Sequence, residues 1–229
     1  MNAKISEIFS SIQGEGKYAG IYQVFIRFWG CNMHCVWCDT PSSVGDGRRA
    51  YTEYSVEDLL DRVDALWGHC HSVSITGGEP LLQAGFLKSF CRALHRENKK
   101  IYLDTNGTLP QALAAVIKDV DIIAMDIKLP SSTRQKAYWS RHKEFLQIAR
   151  RREVFVKAVV ALNTRRDQVL KAARLVYAID PEMTFVLQPN YLDRGKGIIE
   201  ACVGHQKLCA KILKDVRILP QVHKLMKWR

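Results

Sequence analysis

Cys31, Cys35 and Cys38 lie within eight residues of one another in the stretch GCNMHCVWCDT (30–40). A metal site built wholly from protein usually closes with four ligands, and this one offers three. A structural zinc would need a further Cys or His. The only local candidate is His34, which sits between two of the cysteines, where a loop rarely lets all four converge. A redox CxxC would use Cys35 and Cys38 and leave Cys31 idle. A four-iron cluster needs one ligand per iron, so three cysteines leave one iron open. An open coordination position marks a centre for chemistry rather than scaffolding.

Other residues suited to chemistry fall where strands should end. Thr76 opens TGGEP (76–80), DTNG follows at 104–107, Asp126 and Lys128 stand in MDIK (125–128), and Gln188 closes TFVLQ. Arg27 offers a planar fork of donors that suits a carboxylate, or an ion pair with a neighbouring acid on a strand.

The elements that must position these groups are short apolar strands alternating with amphipathic helices. Strands are expected at 23–29, 72–76, 101–105, 121–127, 154–160, 184–188 and 216–219. In SVEDLLDRVDALW (55–67), Val56, Leu59, Leu60, Val63 and Trp67 follow the helical period, and Ser55 with Asp58 forms a capping-box pattern. Val169, Ala172, Ala173, Val176 and Tyr177 do the same in 165–179. Repeated strand–helix units predict an α/β fold with a mostly parallel sheet and right-handed crossovers, as an open sheet or a full or partial barrel. Ligands in such folds gather at the carboxyl ends of the strands, where the residues named above converge.

The length, 229 residues with 47% apolar, suits a single domain with a sizeable core. Lys4 and Glu7 interrupt any signal-peptide core, and the longest apolar run, 112–117, is far too short to span a membrane, so a cytoplasmic protein is expected. Seven cysteines, an odd count, argue for reduced thiols. Cys91, Cys202 and Cys209 read as core residues and Cys70 as a loop residue. The net charge of +11 invites a nucleic-acid reading. The densest basic segment, 134–152, reads as a helix, and a solvated face outweighs a nucleic-acid site there. A docking surface for an acidic protein partner is the third possibility.

The CxxxCxxC spacing resembles that of the radical S-adenosylmethionine (SAM) enzymes. The resemblance implies a 4Fe-4S cluster on Cys31, Cys35 and Cys38, with SAM chelating the fourth iron. TGGEP resembles the family's glycine-rich loop, in which Gly77 and Gly78 permit close approach and Glu79 supplies negative charge for the SAM ammonium. Asn106 and Lys128 suit its carboxylate, and Trp37 its adenine. The implied cofactor-binding set is Trp37, Asp39, Gly78, Glu79, Asn106, Asp126, Ile127, Lys128 and Gln188.

Upstream, EIFSSIQGEGKYAG (7–20), VFIRFWGC (24–31) and CDT (38–40) are similar to the 7-carboxy-7-deazaguanine synthase family, as are DIKLPSS, LQPN and LPQVHK further on. This resemblance covers essentially the whole chain. It implies conversion of 6-carboxy-5,6,7,8-tetrahydropterin to 7-carboxy-7-deazaguanine with release of ammonia, on the route to queuosine and other deazapurines, with SAM regenerated. Ile12, Gln13, Gly14, Glu15, Arg27 and Thr76 become the substrate-binding set, and Thr40 a ligand to Mg²⁺. The fold implied is a reduced radical-SAM barrel over 1–229, with an N-terminal substrate-binding segment and a short C-terminal tail, forming a homodimer. A flavodoxin or ferredoxin would supply electrons, and Arg150, Arg151 and Arg152 are one expected docking surface. Gln221, His223 and Lys224 could line the pocket, hold the tail, or both. The alternatives are a glycyl-radical activase and a non-catalytic basic metalloprotein that binds RNA.

Overall fold

The computed structural model describes residues 1–45 and 51–227. Among these residues nine strands form one sheet. They are β1 (Ala3–Ile12), β2 (Tyr22–Phe28), β3 (Thr52–Tyr54), β4 (Ser72–Gly77), β5 (Ile101–Thr105), β6 (Ile122–Asp126), β7 (Glu153–Val160), β8 (Phe185–Pro189) and β9 (Val216–Ile218). The order across the sheet is β3-β1-β2-β4-β5-β6-β7-β8-β9. From β2 through β4 to β9 every neighbouring pair is parallel. β1 runs antiparallel to both β2 and β3. Among the described residues β3 and β9 stand at the two edges and do not pair with each other, so the sheet is not a closed barrel, as expected of a partial radical-SAM barrel.

The helices are α1 (Val56–Trp67), α2 (Ala84–Arg96), α3 (Pro110–Val116), α4 (Pro130–Thr133), α5 (Trp139–Ala149), α6 (Arg166–Tyr177), α7 (Ile198–Cys209) and α8 (Val222–Leu225). Each parallel crossover carries at least one of them. α1 begins where the pattern predicts. Ser55 Oγ accepts from the Asp58 amide at 3.1 Å, the Asp58 carboxylate accepts from the Ser55 amide, and Gly68 ends the helix at a φ of 46°. The basic 134–152 segment is a shorter helix than the pattern suggests, because residues 134–138 precede the first turn of α5. All seven predicted strands are present. β1 and β3 were not expected, because Lys4, Ser6, Ser10 and Ser11 dilute the apolar signal of the first and the second is only three residues long.

The strand period of two builds the interior in layers. Tyr102, Ala124, Phe155 and Val186 form a small apolar cluster on one face of the sheet. Two residues further along the same four strands stand Asp104, Asp126, Lys157 and Gln188, all lining one cavity. A polar layer thus sits about 6.6 Å above an apolar floor. The opposite face, with Leu103, Ile123, Val156 and Leu187, packs into the main core with the helices. Cys91, Cys202 and Cys209 are buried in that core as expected.

Candidate active site

A cavity of about 450 Å³ opens at the carboxyl ends of the parallel strands. Its wall contains Cys31, Cys35 and Cys38 together with Gln13, Glu15, Arg27, Thr76, Asp126, Lys128 and Gln188. The expected convergence is therefore real, and the register explains it. Arg27 pairs with Thr76 across β2 and β4, and Asp126 with Lys157 across β6 and β7.

The three cysteines are half-buried, unpaired thiols. Burial pushes Cys31 up to about 11 and also raises Cys35. A metal bound by Cys31 and Cys35 would have to expel their protons, and metal and thiolate would stabilise one another. His34, the zinc candidate, is exposed. The loop is anchored on its outer side, where Trp37 Nε1 donates to Ser132 Oγ at 2.8 Å.

The wall beside the cysteines carries groups that want a ligand. Asp126 Oδ1 and Gln188 Oε1 are buried acceptors with no hydrogen-bond partner. Buried acceptors left in this state cost stability unless a donor arrives. An amine-rich ligand such as SAM fits that demand. Asp126 Oδ2 is taken by Lys128 Nζ at 2.8 Å. Burial lowers the Lys128 pKa, but Asp126 and Cys35 more than offset it and keep the ammonium charged. The same ammonium lies 4.8 Å from the centre of the Trp37 ring.

On the far wall Arg27 Nε donates to Glu7 at 2.9 Å, which fixes the plane of the guanidinium at the cavity surface. Thr76 Oγ1 donates to Asp104 at 3.2 Å. Gln13 spends its amide inside the protein, donating to Gln23 and accepting the Glu15 amide at 3.0 Å, and so sets the turn that presents Glu15. Ile12 and Gly14 line the same edge.

Sequence reading missed Lys157. Its ammonium is 2.5 Å from Glu15, 3.4 Å from Asp104 and 4.0 Å from Asp126. Burial lowers the Lys157 pKa, but the three carboxylates drive it well above the usual lysine value. Burial likewise raises Glu15, and Lys157 with Gln221 and His223 overcomes this to hold it at about 2. A signal existed, since a lysine inside the apolar run VFVKAVV shares its parity with Phe155 and so must point inward.

The closing motif also belongs to the site. Gln221 Nε2 donates to Glu15 at 2.6 Å and to Asp39 at 3.0 Å, and Lys224 Nζ meets Asp39 at 2.8 Å. The Val222 amide donates to Gly14 O at 2.9 Å. A Cβ on Gly14 would stand 1.8 Å from His223 Nδ1, so only glycine lets the tail close here. Among the described residues, Glu15, Asp39 and His223 could hold a metal ion, their ligand atoms lying within 4.8 Å. Lys157, Lys224 and Gln221 already occupy the two carboxylates, which makes the group a recognition cluster instead.

Other residues of the expected set are held first by the protein itself. Glu79 was expected to face a SAM ammonium. It is wholly buried behind the wall, and its carboxylate accepts from Leu81 N at 3.1 Å, Thr105 Oγ1 at 2.9 Å and Asn106 N at 2.8 Å. Burial raises it to about 7 in spite of these donors. Gly77 and Gly78 are dictated first by the protein, because a Cβ would meet Phe28 O or Gly30 O at 2.2 Å. The Asn106 side chain is engaged by Asn32 and Thr108, which leaves one amide hydrogen. Ile127 lies buried outside the cavity with its amide given to Lys157 O at 2.8 Å. Asp39 turns its carboxylate to the tail. Arg150, Arg151 and Arg152 immediately precede β7, at the amino ends of the strands. β7 has eight residues and spans roughly 23 Å, so these arginines lie at the far end of the barrel from the cysteines.

Comparison with known proteins agrees with this geometry. The family model for the radical SAM superfamily matches residues 26–176. The chain is 40% identical to a 7-carboxy-7-deazaguanine synthase of Geobacter sulfurreducens, covering 98% of this chain and 97% of that one. It is 36% identical to the synthase of Archaeoglobus fulgidus over 99% of each. The fold is similar to the crystal structure of QueE from Escherichia coli, with a TM-score of 0.66 at 22% identity over 97% of this chain and 95% of that one. These full-length matches do not favour the glycyl-radical activase reading. Cysteine triplet, strand-end cavity and closing tail thus agree with full-length sequence kinship, and the chain belongs to the radical SAM superfamily and, within it, to the 7-carboxy-7-deazaguanine synthase family.

Proposed function

We propose that this chain is a Mg²⁺-dependent carbon–nitrogen lyase that converts 6-carboxy-5,6,7,8-tetrahydropterin to 7-carboxy-7-deazaguanine and ammonia. One observation carries the reading. A single cavity joins the cysteine triplet to an opposing wall whose charges match a carboxylated pterin. When bound, the 4Fe-4S cluster and SAM supply the one-electron chemistry that begins and ends the ring rearrangement.

The protein's part is placement and charge. Cys31, Cys35 and Cys38 hold the cluster. Lys128 binds the SAM carboxylate, while Asp126 Oδ1 and Gln188 Oε1 accept from its N–H groups. Trp37, fixed by Ser132, packs against the adenine, and the remaining Asn106 amide hydrogen adds a donor. The 77–79 turn and Ile127 contribute backbone only, and Glu79 holds that turn to Asn106. On the other wall, Arg27 binds the substrate carboxylate. Glu15, kept ionised by Lys157, accepts from the N–H edge of the aminopyrimidinone ring. Thr76, oriented by Asp104, adds a hydroxyl, and Ile12, Gln13 and Gly14 form the edge of the slot.

Thr40 lines the cavity, and its own carbonyl accepts from Ser43 Oγ at 2.8 Å. A lone neutral hydroxyl fits Mg²⁺, which keeps most of its ligands as water and substrate oxygens. Gln221, His223 and Lys224 close the pocket over the substrate and exclude water. In this reading the chain has an N-terminal substrate-binding segment, a barrel core and a short C-terminal tail, and it works as a homodimer. Among the described residues no helix is long and apolar enough to cross a membrane. All seven cysteines are unpaired, which supports a reducing, cytoplasmic setting.

The test is anaerobic turnover of iron- and sulfide-reconstituted protein with SAM, dithionite and the pterin, with and without Mg²⁺, read by mass spectrometry. Formation of 7-carboxy-7-deazaguanine without consumption of SAM is expected. Release of 5′-deoxyadenosine with the pterin untouched would keep the cluster and discard the substrate.

A further inference from the structure

The cysteine loop is tied at its ends and carries an acid of its own. Gly30 N donates to Ser43 O at 2.7 Å and Cys31 N to Val44 O at 3.0 Å, which brings the two ends of the loop together. Within it, Cys38 N donates to Cys35 O at 3.0 Å. Asp39 follows Cys38 directly. Wherever the loop places Cys38, it also places the Asp39 carboxylate.

That carboxylate is engaged by the other end of the chain. Its Oδ2 accepts from Gln221 Nε2 at 3.0 Å and from Lys224 Nζ at 2.8 Å. The Gln221 amide has two hydrogens, and the second goes to Glu15 Oε1 at 2.6 Å. One amide thus holds the acid beside a cysteine and the acid of the slot at once. Lys224 also lies 5.3 Å from the centre of the Tyr191 ring. The Lys224–Asp39 pair is partly solvated, its side chains 23% and 41% exposed, and is worth little alone. Gln221 is only 8% exposed. Losing one of its two acceptors leaves a buried donor unmatched and frees the amide to turn away from Glu15.

We infer that Asp39 is a positioning residue that couples metal loading of the cysteine loop to closure of the tail over the substrate slot. The inference rests on the cluster and pterin reading given above. A metal held by Cys31, Cys35 and Cys38 cross-links the loop, and binding at such a site orders the segment that supplies the ligands. The ordered loop presents Asp39 at one place. Asp39 holds Gln221 and Lys224 there, and Gln221 holds Glu15 toward the aminopyrimidinone edge. Coupling of this kind is reciprocal. A pterin enclosed beneath the tail steadies Asp39, and through it the loop that carries Cys38. The slot then closes tightly on its substrate only when the cluster is in place.

The test compares iron- and sulfide-reconstituted protein with metal-free protein, without SAM so that nothing turns over, and with Mg²⁺ throughout. Binding of 6-carboxy-5,6,7,8-tetrahydropterin is measured by anaerobic titration calorimetry, and loss of iron to a chelator by absorbance. The reconstituted parent should bind the pterin about tenfold more tightly than the metal-free parent, and bound pterin should slow its iron loss. In Asp39→Ala and in Gln221→Leu the ratio of the two affinities should fall to about one, with iron loss no longer slowed by pterin. Gln221→Leu changes no residue of the loop, so it decides the matter where Asp39→Ala costs the cluster itself. A residue that only touched the pterin would weaken both affinities equally and leave their ratio standing. An unchanged ratio in the variants would therefore overturn the inference, and so would equal affinities in the two forms of the parent. A parent that forms no iron–sulfur chromophore would overturn the cluster reading. A cluster-bearing parent that binds no pterin would overturn the substrate reading, and either result takes the coupling with it.

Discussion

Lys157 and Glu15 meet at 2.5 Å although 142 residues separate them in sequence. The contact joins the middle of a buried strand to the turn that presents Glu15 at the cavity edge. It also brings Asp104 and Asp126 under the same ammonium. Replacing Lys157 by Met would leave three crowded carboxylates without a counter-charge. Breaking a buried pair from one side costs about 3–5 kcal/mol. The variant should lose that much stability in urea denaturation and bind the pterin poorly, while still assembling the cluster.

The same pair gives a pH signature. Glu15 is held at about 2 against an ordinary value of 4.5. A depressed carboxylate stabilises the fold fully above its unfolded pKa, and that contribution is lost as the pH falls through the folded one. The stability difference between the parent and Glu15→Gln should therefore be largest at pH 5 and above. It should shrink steadily between about 4.5 and 2. Urea melts of both proteins across that range would show it, and a difference independent of pH would mean that the pair does not titrate as described.

Gly14 allows the tail to sit where it does. Gly14→Ala should push His223 aside and raise the KM for the pterin about tenfold, a loss of about 1.4 kcal/mol in binding. SAM affinity should be unaffected. A second change, His223→Ala, should recover part of the loss, because the two side chains compete for one space. Steady-state kinetics on the two single variants and the double variant measure that coupling.

Cys31→Ser should abolish the iron–sulfur absorbance and all turnover. The protein should keep its fold, since the cysteines lie outside the main core. Iron content per chain and a thermal melt separate the two effects. A melt that collapses together with the iron would instead make the cluster a structural element.

Much of the fold was legible because the central strands are apolar runs punctuated by polar residues at their ends. The parallel order of β4 to β9 and the position of the cavity follow from that pattern. β1 hid behind its serines. The convergence on one cavity was legible where a motif announced itself, as in the cysteine triplet, IQGEG and Arg27. It was not legible where a residue's work depends on contacts distant in sequence. Glu79 stands in TGGEP as a free carboxylate in the sequence, and only the fold shows it buried with three donors on it. Lys157 looks like an oddity in a strand and proves to be the hub. Arg150 to Arg152 read as one basic patch in the sequence, and only the strand direction shows that they lie at the end of the barrel away from the cysteines.

The bond from Gln221 to Glu15 spans 206 residues. Contacts of such separation form late when a chain folds, since a long loop must close first. During synthesis the glutamate turn emerges early and waits for residue 221 before its pocket has a roof. A ribosome-bound chain can therefore display a nearly finished barrel that does not yet shelter a substrate. Competence would then arrive as one of the last events of folding, after the cysteine loop has already been made.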